Sequence, residues 1–397
     1  MSTVTDHVKQ SERYFYLDWM RLFAILVVFL FHNLKFYDYP GWHLKNIQQC
    51  EIATQITNFI FLWIMPFFFT ISGASTTIFI RHRNFKQVVA DRSKRLLLPY
   101  LFGIFVLIPP QKYFESLYHK ISDGNLMNMF IGYFNVSNVK IGFSTIWFGY
   151  FGYHLWFLAF LFIITIIAYP ILRWIRNGFI NNKPSFFIKI AGKHSYIYTL
   201  CVPLLVIDFI LRVPFPEYLN WADFFDFIYF FIFGFLIFSN KEIIETVKKN
   251  ASRNLLIAIV FVLVLGYLAI FTDFIRAISA SPAWTLQYFG FVSLLKLNAF
   301  FWTLALLGIG ASGLNFSTKY LYRLNEFVLP FYMLHQTIII TIGFYIIVLE
   351  ISIIEKFLII TLLSFISIVL IYLVIQRFNV LRFLFGMKIK TPHNNGS

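Results

Sequence analysis

Ten apolar runs, each near the length that crosses a hydrocarbon core, follow one another through this chain and leave room for little else. A spanning helix needs roughly 20 predominantly apolar residues. The runs lie at about 17–37, 57–80, 96–110, 153–173, 196–212, 222–239, 254–272, 286–310, 327–349 and 353–375. Of the 397 residues, 59% are hydrophobic and 13% charged, whereas a soluble globular chain is roughly 45–50% apolar and about 25% charged. One water-soluble core cannot hide that much apolar surface. The expected fold is all-α: a polytopic membrane protein with about ten transmembrane helices. Its expected parts are a polar N-terminal segment (1–16), a single membrane domain (17–376) and a C-terminal tail (377–397).

A formal charge of +15 would suit a nucleic-acid partner, but the cations sit in short clusters between apolar runs, as topogenic Lys and Arg do. No nucleic acid is therefore expected; the bilayer is. Twenty-three lysines and arginines fall on the side that holds both ends of the chain, against seven on the other. The positive-inside rule then makes both termini cytoplasmic. The N-terminus lacks the short apolar stretch and cleavage site of a signal peptide, so the first run is expected to remain as an anchor. Cys50 and Cys201 do not suggest a disulfide framework, and no histidine–cysteine cluster has metal-ligand spacing, so no metal is expected.

The first run, "LDWMRLFAILVVFLFHN" (Leu17–Asn33), keeps three ionisable groups. Arg21 and His32 are eleven positions apart, which at about 100° per residue puts them on one helical face and about 16.5 Å apart along the axis. Asp18 lies one turn before Arg21, close enough to pair with it. Asp18 and Arg21 can be read as an interfacial pair at a helix end. An ionisable His32 deep in a span is a functional residue by default. An apolar setting favours the uncharged imidazole, the form a general base needs near pH 7.

The Asp-x-x-Arg-x10-His pattern of Asp18, Arg21 and His32 resembles the signature of the acyltransferase-3 superfamily of integral-membrane acyltransferases. Further stretches resemble that family in its own order: "MPFFFTISG" (Met65–Gly73), "RSKRLLLPY" (Arg92–Tyr100), "HLWFL" (His154–Leu158) and "NEFVLPFYMLHQ" (Asn325–Gln336). The ending "LRFLFGMK" (Leu381–Lys388) and the long loop at about 111–152 look most like the branch that decorates periplasmic glucans, which is succinyltransferase-like. That loop holds "NLMNMFIGYFN", suited to resting on the membrane surface.

The resemblance implies an enzyme of a bacterial inner (plasma) membrane. It would move an acyl group, acetyl or succinyl, from cytoplasmic acyl-CoA to a hydroxyl of an envelope saccharide, with acyl-CoA as donor substrate and no bound cofactor. His32 is the candidate base, since a hydroxyl attacks a thioester well only as its proton leaves. Arg21 and Asp18 would organise the donor end, Arg21 by binding the donor or by fixing geometry. Arg92 and Arg95 are the resemblance's candidates for the CoA phosphates, where arginine forks match phosphate geometry. His154 is either part of an interfacial aromatic belt or an acceptor-side residue. Glu326 and His335 form a second-tier pair set on opposite helix faces, and Lys35 would serve a succinyl carboxylate. Asp208 and Lys296, both within spans, are expected to pair structurally. The competing expectation is a multi-pass transporter of a small polar or glycan-related solute, but no internal repeat of the kind many transporters carry is visible.

Overall fold

The computed structural model describes residues 14–121, 124–135, 141–180 and 196–390, and among these it contains helices and no strands. Eight helices carry the features discussed below: α1 (Phe15–Leu34), α2 (Ile64–Phe79), α3 (Ile108–Tyr118), α4 (Leu126–Phe134), α5 (Trp156–Ile180), α6 (Trp221–Ser239), α7 (Leu286–Gly313) and α8 (Leu321–Ile346). Among the described residues nine helical stretches are long and apolar enough to cross a membrane. The run expected at 196–212 forms a shorter apolar helix, Tyr196–Leu211. Two other spanning helices, Ala251–Phe271 and Ile353–Ile375, are mostly exposed, as surfaces turned to lipid are.

The third run differs from its expected outline. Pro109 and Pro110 were expected to end a span, yet they sit in the first turn of α3, where a missing N–H costs nothing. Part of the expected loop at 111–152 is therefore helical, through α3, α4 and Trp147–Gly152. Ahead of it, Ser93–Leu97 forms a π-helical turn. Pro99 cannot donate to the Arg95 carbonyl and its ring would crowd that oxygen, so a widened turn relieves an α-helical conflict.

The tightest crossing joins α2 and α6, the most extensive helix pairing in the fold. A Cβ on Gly73 would stand 1.8 Å from the Phe231 carbonyl oxygen, and one on Gly234 would stand 2.0 Å from that of Thr70. Glycine on both sides lets the two backbones touch, the usual device where apolar helices associate without a hydrophobic driving force.

Candidate functional site

Four helices carry two cavities, one above the other. α1 and α8 run one way, α2 and α5 the other, so each contributes to both cavities at different heights. The first cavity, of about 550 Å3, is lined by Asp18, Arg21, Ser75, Arg92, Arg95 and Glu326 among others. The second, of about 470 Å3, is lined by Lys35, His32, His43, His154, Tyr332 and Gln336 within a largely aromatic wall. They share no lining residue. On α2 the linings stop at Ser72 and Phe68, on α5 at Leu161 and Phe157, and on α8 at Leu329 and Tyr332. At 1.5 Å per residue the partition is about 4.5–6 Å thick on those helices. On α1 the linings stop at Arg21 and Val28, about 10.5 Å apart, so the face shared by Arg21 and His32 is interrupted by about two helical turns.

In the arginine cavity Arg21 Nη1 donates to Asp18 Oδ1 at 2.8 Å, and its other terminal nitrogen donates to Ser75 Oγ. Arg92 donates to Thr76 Oγ1 at 3.0 Å and lies 4.3 Å above the Phe79 ring. Its Nε is buried without a hydrogen-bond partner among the described residues. Glu326 accepts from Arg382 Nη2, and Arg382 Nε donates to the Lys388 carbonyl at 2.7 Å. This clamp folds the chain end back, so that Gly386, Met387 and Lys388 line the cavity. Gly386 has φ +68°, and a Cβ there would stand 2.9 Å from the Arg95 carbonyl oxygen. Residues expected to form a tail are therefore structural parts of the site.

At the second cavity, lined by His32 and His154, a third imidazole is buried against both: the His335 ring centre is 5.0 Å from His32 and 4.9 Å from His154. Two are tethered to backbone. His154 Nε2–H donates to the Met333 carbonyl at 3.2 Å, and His335 Nδ1–H to the Tyr332 carbonyl at 2.5 Å. Tyr332 Oη in turn donates to the His154 carbonyl. These bonds fix each tautomer and leave His154 Nδ1 and His335 Nε2 buried without partners among the described residues. His32 is different. Its ring lines the cavity, makes no hydrogen bond among the described residues, and has a buried Nδ1 with no partner among them.

His43 and Glu115 escaped sequence reasoning. His43 Nδ1 is 3.3 Å from Glu115 Oε1, and its Nε2 accepts from Gln336 Nε2 at 3.0 Å. Gln336 also donates to Gln111 Oε1 at 3.1 Å. Tyr153, at a strained φ of +44°, donates to Glu115. The available signal was Pro109-Pro110: read as a helix start, it sets Gln111 and Glu115 one turn apart on one face.

The remaining expected residues divide. Glu326 and His335 do not form a pair: one lies in the arginine cavity and the other touches the histidine cluster, because nine residues of helix separate them. Lys35 reaches the histidine cavity but is already paired with Asp38 at 2.6 Å. Lys45 shares that carboxylate at 2.5 Å, and burial pushes its ammonium below the usual lysine range. Lys296 approaches Asp208 to 3.6 Å, within a buried network that includes Arg212, Asp223 and Asp226. Arg212, counted on sequence as a loop cation, is buried in that network. Lys356, counted likewise, is buried against Asn46. Among the described residues no cluster of His, Cys, Asp or Glu could hold a metal ion.

A family model described as an acyltransferase domain matches residues 14–376, which include the whole lining of the histidine cavity and all of the arginine cavity's except Gly386, Met387 and Lys388. The chain belongs to the acyltransferase-3 family. Curated relatives are glucans biosynthesis protein C of Salmonella heidelberg (strain SL476) and of Salmonella typhi, each 26% identical over 244 residues. The similarity covers 59% of this acyltransferase-3 chain, and the chain spans 60% of the length of those relatives. No solved structure matches it.

Proposed function

We propose that this protein is an O-acyltransferase that takes an acetyl or succinyl group from acyl-CoA and transfers it to a hydroxyl of an envelope saccharide. The observation that carries this reading is the stacking of a cationic cavity and an imidazole-lined cavity, one to two helical turns apart, on the same four helices. In this reading Arg92, Arg95 and Lys388 hold the CoA phosphates, with Arg21 kept in place by Asp18 and Ser75. The thioester end crosses the partition into the histidine cavity. His32 accepts the hydroxyl proton as the oxygen attacks the thioester carbonyl, and collapse of the tetrahedral intermediate breaks the C–S bond. The departing CoA sulfur takes a proton, and the product is an ester. His154 and His335, tied to carbonyls, position the acceptor.

The cation distribution supports cytoplasmic termini in a bacterial inner membrane, with the arginine cavity toward the cytoplasm and the histidine cavity facing outward. The names of the curated relatives favour a glucan as acceptor. The test is transfer by purified full-length protein in detergent, from acetyl-CoA and from succinyl-CoA, to a soluble gluco-oligosaccharide. Loss of a general base lowers the rate by roughly 10²–10⁴-fold, and that loss is expected for His32→Ala. Wild-type rates in His32→Ala would remove histidine 32 as the base.

A further inference from the structure

A third cavity, of about 670 Å3, opens beside the histidine cavity between α3 and α4. We propose that it is a docking groove for the non-reacting sugars of a neutral saccharide acceptor, an inference that rests on the acyl-transfer reading above.

Its size falls in the range of roughly 300–1,000 Å3 typical of small-molecule sites, and its lining alternates flat and polar groups. Tyr133 and Tyr150 supply aromatic faces, while Asn128, Ser116 and His119 supply hydrogen-bonding groups. The two charges in it cancel, because Lys112 Nζ lies 3.7 Å from Glu115 Oε2. An anionic ligand would find no surplus cation, and an acyl chain, though it would meet Ile121 and Met129, would also meet Asn128, Ser116, His119 and the Lys112–Glu115 pair. A ligand both uncharged and polyhydroxylated suits the lining.

α4 forms one wall of this groove. Leu126, Met127 and Ile131 are exposed on its outer face, while Asn128 and Gly132, one turn apart, look into the groove. The groove also borders the histidine cavity. Tyr150 lines both cavities, and Glu115 lines the groove while its carboxylate touches His43 in the histidine cavity. One sugar hydroxyl can therefore enter the histidine cavity while neighbouring sugars lie along α4.

Gly132 provides the test, because a Cβ added there meets nothing within 4 Å and a larger side chain would occupy the groove without displacing backbone. Full-length wild type, Gly132→Trp and Asn128→Ala are assayed in detergent with acetyl-CoA and succinyl-CoA. The acceptors are methyl glucoside and a β-linked gluco-pentasaccharide, and pentasaccharide binding without donor is followed by calorimetry. Both variants are expected to lower kcat/KM for the pentasaccharide about tenfold more than for methyl glucoside, through KM. An equal fall with the two acceptors, or no fall, overturns the groove while leaving acyl transfer standing. If wild type acylates neither sugar, the transfer reading fails and calorimetry decides the groove alone. Pentasaccharide binding weakened about tenfold by Gly132→Trp retains it, and absence of binding removes it.

Discussion

Three imidazoles, with His335 packed against both His32 and His154, would be interchangeable if composition decided their roles. Hydrogen bonding separates them. Donation to the carbonyls of Met333 and Tyr332 commits one nitrogen each of His154 and His335, whereas the His32 ring makes no hydrogen bond among the described residues. The same scale explains the intramembrane charges. Asp208, Asp223 and Asp226 share Arg212 and Lys296, so removing one cation leaves carboxylates buried beyond their remaining partner. Breaking a buried ion pair typically costs about 3–5 kcal/mol, and Lys296→Ala is expected to lower the melting temperature and the yield of folded protein accordingly. Exchanging Asp208 and Lys296 is expected to leave the protein unstable. Asp208 is held chiefly by Arg212 at 2.8 Å, and a lysine in its place would face that guanidinium. Recovery of the wild-type melting temperature in the double exchange would show the two to be an isolated pair.

Helices were legible wherever an apolar run was long and uninterrupted, because the period and length of α1 or α8 admit no other structure in a bilayer. Helix ends and joints were not. Pro109-Pro110 reads equally as a stop or a start, and only packing shows that it starts α3. The arginine and histidine of α1 could be set on one face from their spacing. The partition between them could not, because it depends on side chains from three other helices. His43 pairs with a carboxylate seventy-two positions away, a proximity no local pattern encodes. At this scale the α2–α6 crossing offers a direct test. Overpacking a close interface typically costs about 1–3 kcal/mol, and here the clash is with backbone oxygen, which cannot turn aside as a side chain can. Gly73→Ala and Gly234→Ala are each expected to reach at least that cost, measured as loss of folded, monodisperse protein on heating. Wild-type melting in both would mean that the helices can separate freely.

The whole molecule has two unlike ends, and the proposed reaction needs a different substrate at each. Sealed vesicles of uniform orientation can test this. With purified protein reconstituted so that the arginine cavity faces the bath, acyl-CoA in the bath is expected to acylate a gluco-oligosaccharide trapped inside. Acyl-CoA and sugar supplied together on the bath side are expected to yield little product. Equal yields from the two arrangements would mean that both substrates reach one cavity from one face, contrary to the stacked geometry.

The one to two turns that keep the two cavities apart also bear, in the proposed reaction, on the cell's energy supply. A tunnel wide enough for a pantetheine arm would, left open, short-circuit the ion gradients across the membrane. In that reaction, side chains that part only for an inserted thioester would let carbon cross while the voltage holds.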